Sequence, residues 1–562
     1  MTTSTASSRC VAPRARAPAP RASRAAARLA RRGPPPPRVV AVFAVATTTT
    51  GSQAPSDDDS PSRSSSTRRT RSSSAASRAP RVVVLGGGFG GLYTALKLDA
   101  LSWDATVGGP PRPRVTLVDR ADDFVFKPML YELVNETMRP WEVAPSFAEL
   151  LAPTAVRLVK GVAVDVREDD DAEGEGEGEG GAGVVTLMDG TTVPYDYLVC
   201  AVGANASDAG VAGAKDFAIP LNDAKDASRL AGALRDIERA AVKTADETRR
   251  RVAVVGGGLA GVELAGVVAE RTRGVATVEL FTPSGGIMRG APSGQRAAAT
   301  RVLRDAGVVM REGARVVAVE ACADVERVRA CGEAATVTVE TSDGATTTVT
   351  VETSDGATTT EDFDVVAWTV GQRAVTPESW PFPRDSKGRI VTEDTLRVVG
   401  RSNVFALGDA AVVASSSSSN PNDSNPNDAD FASPPPSEAL PSTAQVAFQQ
   451  ADYAAWNVWS AMSSRPLLPF KYQHLGDMMT LGKTDAAVAL PLNLAVVDGP
   501  AAAALRRAAY LYRMPTNEHR AKLAAEWIEQ GARAALEEGP EVLRKLGVPL
   551  PPGLFPPPPS RE

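Results

Sequence analysis

Twice in this chain an apolar strand runs into a glycine-rich turn and then into a helix. Arg81–Leu85 (RVVVL) leads to Gly86-Gly87-Gly88-Phe89-Gly90-Gly91 and the helical stretch Leu92–Leu98. Arg251–Val255 (RVAVV) leads to Gly256-Gly257-Gly258-Leu259-Ala260-Gly261 and Val262–Ala265. Each turn is a G-x-G-x-x-G fingerprint whose glycines have separate tasks. The first (Gly86, Gly256) allows the tight turn, and the second (Gly88, Gly258) lets backbone approach a pyrophosphate. The third (Gly91, Gly261) lets the helix pack close to the strand. The helix start then offers free N–H groups and a positive dipole end to the phosphates. One such turn is weak evidence, because unrelated loops are also glycine-rich. Two, each between strand and helix, specify an α/β protein with two Rossmann-like dinucleotide-binding domains.

The strand ends agree. Val115–Val118 ends in Asp119, followed by Arg120, and an acid there accepts hydrogen bonds from a ribose diol. The spacing from Gly91 is longer than usual, and the loop Trp103–Arg114 accounts for the excess. Tyr197–Val202 closes on Gly203, and Val365–Val370 closes on Gly371. Val404–Leu407 runs into Gly408-Asp409. That aspartate either bonds the ribityl chain of a flavin or simply ends a strand in a turn. The chain order is the first part of fold one, all of fold two, then the rest of fold one.

Composition narrows the class. Residues 1–80 carry fourteen Arg against three Asp, with no Lys or Glu, and are rich in Ser, Ala, Thr and Pro. This is the composition of an organelle transit peptide, and an attached basic tail is the plainer alternative. The net charge is −6, so the remaining chain is the more acidic part and argues against a nucleic-acid partner. Cys10, Cys200, Cys322 and Cys331 form no C-x-x-C or C-x-x-x-x-C, and the histidines are only His474 and His519. No metal site is expected. No continuous apolar run reaches the length that spans a bilayer, so membrane contact is expected to be peripheral. Residues 169–183 and 414–438 are low-complexity inserts expected to be disordered. VTVETSDGATTT at 337–348 recurs unchanged at 349–360 and reads as strand and turn.

Phe124–Leu133 (FVFKPMLYEL) is similar to a stretch of the type II NADH dehydrogenases, and Ala444–Gln450 (AQVAFQQ) to their Ala-Gln-x-Ala-x-Gln motif. Trp141–Pro145, Asn457–Trp459, Arg465–Phe470, Gly476–Gly482 and Pro515–Arg520 resemble the plastid and mitochondrial C-type branch of plants and algae. The resemblance covers roughly 81–537 apart from the inserts. It implies that 81–215 and 385–455 form an FAD-binding domain, 216–384 an NAD(P)H-binding domain, and 456–562 a quinone-site and membrane-surface region. It also implies non-covalent FAD and a hydride relay from NADPH or NADH through the flavin to a membrane quinone, without proton pumping. Plastoquinone or a naphthoquinone precursor of phylloquinone is the expected acceptor. A plastid membrane or plastoglobule (lipid-droplet) surface is the expected location, with the mitochondrion as alternative and a homodimer as a further expectation.

On the same basis Lys127 and Ala444 belong at the flavin, and Glu263, Gln445 and Gln449 border the flavin–quinone site. Glu263 in a helix's first turn also suits the helix dipole, and Gln445 and Gln449 could be ordinary core-edge residues. In the second fold Thr282 takes the strand-end position where NAD-specific relatives carry an acid. A 2′-phosphate is then not repelled, Arg289 is a candidate to receive it, and NADPH is expected to serve at least as well as NADH. Residues 501–514 and 520–536 read as amphipathic helices for a lipid interface, or as faces packed on the flavin domain. A sulfide:quinone oxidoreductase needs a cysteine pair beside its flavin; that reading and a non-catalytic flavin-binding scaffold are the alternatives.

Overall fold

The computed structural model describes residues 78–103, 110–168, 182–243, 249–283, 285–321, 347–353, 358–414, 440–480, 482, 486–489 and 496–545. The expected transit segment up to residue 77, most of both low-complexity inserts, the first repeat copy up to residue 346, and Cys10, Cys322 and Cys331 lie outside the described residues.

Each glycine fingerprint begins at the end of the middle strand of a five-stranded sheet. In the first sheet β1 (Arg81–Leu85) lies between β2 (Arg114–Asp119) and β4 (Tyr197–Cys200), flanked by β3 (Arg157–Lys160) and β10 (Val404–Ala406). In the second, β6 (Arg250–Val255) lies between β7 (Ala276–Thr282) and β9 (Val365–Trp368), flanked by β8 (Val309–Glu312) and β5 (Ile219–Pro220). All the strand pairs within these two sheets are parallel. Strands covered on both faces need apolar residues throughout, which is why RVVVL is buried along its whole length. A three-stranded antiparallel sheet accompanies each fold, from strands at 163–195 and at 314–363. The outer hairpin of the later one, Thr347–Thr353 with Thr358–Phe363, is built mainly from the second repeat copy.

Helix α1 (Phe89–Ala100) follows the first turn, and α4 (Leu259–Arg271) follows the second. Between them in sequence lie the short helices α2 (Leu130–Val134) and α3 (Pro140–Val143). Helix α5 (Ala444–Met462) packs on α1 and starts at a capping residue, Thr443, whose Oγ accepts from Val446 N at 3.3 Å. A small antiparallel sheet beginning at Asp477–Thr480 precedes α6 (Gly499–Arg513) and α7 (Asn517–Lys545).

The last two helices separate the two readings of their apolar faces. Ala502, Arg506, Tyr510 and Met514 recur every fourth residue and are all buried against the protein. On α7, Leu523 is buried and Trp527 Nε1 donates to Glu142 Oε1 at 3.2 Å. The Leu523/Trp527 face is therefore packed against the protein, with Trp527 on Glu142, rather than lipid-facing. What stays exposed is Leu505, Tyr512 and Ile528. Among the described residues no helix is long and apolar enough to cross a membrane.

Candidate active site

The two turns are geometric copies. Gly86 has φ +94° and its N–H donates to Val118 O at 2.8 Å; Gly256 has φ +120° and donates to Phe281 O at 2.9 Å. A Cβ on Gly91 would lie 1.7 Å from Gly86 O, and one on Gly261 would lie 1.8 Å from Gly256 O, so both third positions must be glycine. At Gly88 and Gly258 a Cβ would meet nothing within 4 Å. These glycines cap α1 and α4, and neither helix start has a side-chain cap. Open space above an uncapped helix start is what a pyrophosphate needs. Gly90 is close-packed in another direction, its added Cβ falling 3.1 Å from Leu407 Cδ1, and Phe89 stacks edge-on with Phe124 and Phe126.

The strand ends complete both cradles. Asp119 Oδ2 accepts from Gly87 N at 2.5 Å and Oδ1 from Ala121 N at 2.7 Å, while Arg120 is exposed. Leu85 pairs with Val118 and Val255 with Phe281, so the next residues, Asp119 and Thr282, hold equivalent positions. Thr282 is buried directly against the turn: a Cβ on Gly257 would be 2.7 Å from it. The neighbouring strand sets Lys160 beside Asp119, and Glu312 beside Thr282. Met288 N donates to Gly257 O at 2.7 Å, which brings the exposed Arg289 close to the second turn. Gly203, Gly371 and Gly408 all turn with positive φ at strand ends. Asp409 is raised above the usual carboxylate range by burial, against the opposing pull of Lys127, a hydrogen bond from Ser442, and Arg389. A cavity of about 290 Å³ opens beside it, lined by Asp409, Ser442, Gly371, Gln372, Lys387 and Arg389.

Where the two folds and the C-terminal region meet, Glu263 of α4 is buried. Its Oε1 accepts from Thr480 N at 2.9 Å, and it is hydrogen-bonded to the Tyr131 hydroxyl. Burial pushes its carboxyl up to about 7; Arg506 and these hydrogen bonds pull it down, and Glu132 pushes it further up. Arg506 of α6 donates to Glu132 Oε1 at 2.6 Å and to Pro128 O at 2.8 Å, and lies over the Tyr510 ring at 4.7 Å. Burial and the acidic Glu263 drive the Tyr131 hydroxyl well above its usual range, so it stays a neutral donor. Glu263 therefore finds its partners in the C-terminal region and the Pro128–Glu132 turn, not in its own helix dipole.

A family model described as pyridine nucleotide-disulphide oxidoreductase matches residues 80–451. The alternative NAD(P)H-ubiquinone oxidoreductase C1, chloroplastic/mitochondrial, of Arabidopsis thaliana is 36% identical, over 80% of this chain and 81% of that protein. The demethylphylloquinone reductase NdbB of Synechocystis sp. is 34% identical, over 80% of this chain and 95% of its own. The chain belongs to the type II NAD(P)H dehydrogenases. The NDH2 structure of Plasmodium falciparum in complex with NADH shares the fold, with a TM-score of 0.61 at 15% identity, covering 81% of this chain and 98% of that one. The protein is accordingly an FAD-dependent oxidoreductase of NAD(P)H. In this dehydrogenase the Gly86–Gly91 turn, Asp119, Lys127 and Asp409 fit FAD, and the Gly256–Gly261 turn with Thr282 fits the nicotinamide cofactor. Bound there, the flavin supplies two-electron transfer. The chain's own residues would hold the anionic phosphates and fix the riboses, and they keep one carboxyl, Glu263, out of water.

Helix α5 of the dehydrogenase holds a residue that the motif reading missed. Gln445 donates to Gly476 O at 3.0 Å, and its Oε1 accepts from Tyr472 OH and Leu475 N. Gln449 donates to Gln473 O at 2.8 Å and accepts from Gln473 N. Both amides hold the 472–476 segment against α5, whose first residue is Ala444. The buried Gln450 accepts instead from Gly408 N at 2.7 Å, fixing the Gly408-Asp409 turn. Cys200 is the one cysteine among the described residues; it is buried in β4, where burial pushes its thiol up. A thiol so placed is a structural core residue, not half of a cysteine pair beside a flavin.

Proposed function

We propose that the protein reduces a membrane quinone with NAD(P)H, without proton pumping. Plastoquinone or a naphthoquinone precursor of phylloquinone would be the acceptor, at a plastid membrane or plastoglobule surface, with the mitochondrion as the alternative compartment. The name of the Arabidopsis relative, a chloroplastic/mitochondrial NAD(P)H-ubiquinone oxidoreductase, supports a quinone acceptor and either compartment, and that of the Synechocystis relative, a demethylphylloquinone reductase, supports a naphthoquinone. The observation that carries it is Glu263, a carboxyl buried where the two folds and the C-terminal region meet, bonded to Thr480 N–H and the Tyr131 hydroxyl and raised by its burial. An acceptor that takes only electrons needs no such group; a quinone, which also takes protons, does. Glu263, Gln445 and Gln449 border the quinone site in this reading. The test is anaerobic stoichiometry with a short-chain plastoquinone and a naphthoquinone. One quinol per NAD(P)H supports the proposal, and oxidation of NAD(P)H without quinol refutes it.

The 2′-position of the nicotinamide cofactor is read at Thr282. With no carboxylate there and Arg289 nearby, NADPH serves at least as well as NADH. Thr282→Glu is expected to shift relative kcat/KM toward NADH by roughly tenfold, ~1.4 kcal/mol. Measuring both cofactors with both proteins checks this; strict NADH use by the native enzyme would move the reading position to Glu312.

Attachment to the membrane surface uses the residues left outside the packed helix faces. Tyr512 is 71% and Ile528 73% exposed, and Leu505 and Arg507 join them at the surface. Aromatic, aliphatic and cationic groups together suit a lipid interface. Removing everything after residue 500 would also delete the buried Arg506 and Tyr510, so substitution is the cleaner test. The triple change Leu505→Asp, Tyr512→Asp, Ile528→Asp should abolish flotation with anionic liposomes while FAD content stays native. Unchanged flotation would exclude this surface.

A further inference from the structure

Among the described residues, two buried atoms in the Glu263 cluster have no hydrogen-bond partner: Glu132 Oε2 and Arg506 Nε. Their residues are only 8% and 3% exposed, so bulk water does not satisfy these atoms. Such groups are costly to leave dry. Both residues line one small cavity, with Tyr131, Thr137, Thr480 and Arg507. It measures about 10 Å³, close to the smallest space that holds a water molecule. A buried water also needs polar partners, and Arg506 Nε–H could donate to one and Glu132 Oε2 accept from it.

The quinone-reductase reading, on which this inference rests, requires a proton: NAD(P)H + quinone + H⁺ gives NAD(P)⁺ + quinol. The hydride carries two electrons and one hydrogen, and the proton taken from solvent completes the second hydroxyl. We propose that one water held between Glu132 and Arg506 is the inlet by which that proton reaches Glu263, with the Tyr131 hydroxyl as the link. Glu132 and Arg506 are positioning residues, since they act through the water and Glu263. Tyr131 lines the cavity and is hydrogen-bonded to Glu263; Thr480 also lines it, and its backbone N–H donates to Glu263 Oε1. Helix α6 thereby completes a site whose other parts come from the two cofactor folds.

The charged and titratable groups facing Glu263 are Tyr131 and Glu132 from α2, and Arg506 and Tyr510 from α6, with the exposed Arg507 at the cavity. Glu263 donates only when protonated, so quinone turnover should fall as pH rises through about 7. Arg506 favours the ionised form and Glu132 opposes it. Arg506→Met should therefore move this limb to higher pH, and Glu132→Gln should move it to lower pH, each by about one unit. Arg506→Met removes the water's donor, and Glu132→Gln replaces its carboxylate acceptor with an amide that cannot take up a proton. The ratio of quinone to ferricyanide turnover should drop about tenfold, because ferricyanide takes electrons without a proton. Arg506→Lys covers a methionine variant that does not fold: the charge and the limb stay, while loss of the Nε–H lowers the ratio. Limbs that stay in place or move together, or an unchanged ratio, overturn the inlet. A native enzyme that reduces ferricyanide but no quinone overturns the functional reading instead, before any variant is compared.

Discussion

Gly88→Val is expected to give a folded, colourless protein with no NAD(P)H oxidation. Gly88 has φ −71° and ψ −165°, an extended conformation open to any residue. A Cβ there would meet no protein atom within 4 Å. The added Cβ therefore meets no described part of the polypeptide, whereas a bound ligand would meet it. The branched side chain occupies the space above the α1 start, where the pyrophosphate must approach the free N–H groups. The neighbouring Gly91→Ala is the contrast, since its Cβ would lie 1.7 Å from Gly86 O and must distort the turn itself. The expected readout is loss of visible flavin absorbance with a native far-ultraviolet spectrum. Melting should also fall, because a tightly bound ligand stabilises the folded state by mass action. A normal flavin spectrum in Gly88→Val would sink the assignment of FAD to this turn.

Why these positions were legible in the sequence is a matter of backbone physics. A strand that must turn sharply into a helix leaves few choices at three glycines, and the pattern survives without knowledge of anything distant. The strand-end positions were legible for the same reason: the end of the apolar strand that follows each fingerprint helix fixes Asp119, and by the same count Thr282. Residues whose partners are far away were not legible. Arg506 and Glu132 are separated by 374 positions, and nothing local distinguishes the inward Arg506 from the outward Arg507. The spacing Ala502, Arg506, Tyr510, Met514 did carry the signal, but an arginine in a helical stripe reads first as a polar face. Gln450 was missed by a single step. One residue is about 100° around a helix, enough to separate the amides that hold 472–476 from the one that fixes Gly408.

Gly258→Val should have the opposite phenotype to its counterpart in the first fold. The local circumstances match: φ −76° and ψ −176°, a bare start to α4, and no protein atom within 4 Å of an added Cβ. The protein should therefore fold and keep its full flavin content, since the Gly86–Gly91 turn is untouched. What it loses is pyrophosphate contact for the nicotinamide cofactor. Forfeiting two charge-assisted hydrogen bonds at about 1.5–2 kcal/mol each gives about 3–4 kcal/mol, or roughly 10²- to 10³-fold in kcat/KM for NAD(P)H. Chemical reduction by dithionite bypasses that step, and quinone should then reoxidise the variant at the native rate. Each fold is thus tested with the same substitution, at the same backbone conformation, against a different loss. If Gly258→Val also bleaches the protein, the two turns do not serve separate ligands, and the division of labour between the folds fails. If it stays yellow but oxidises NAD(P)H at the native kcat/KM, the second turn does not hold the nicotinamide cofactor.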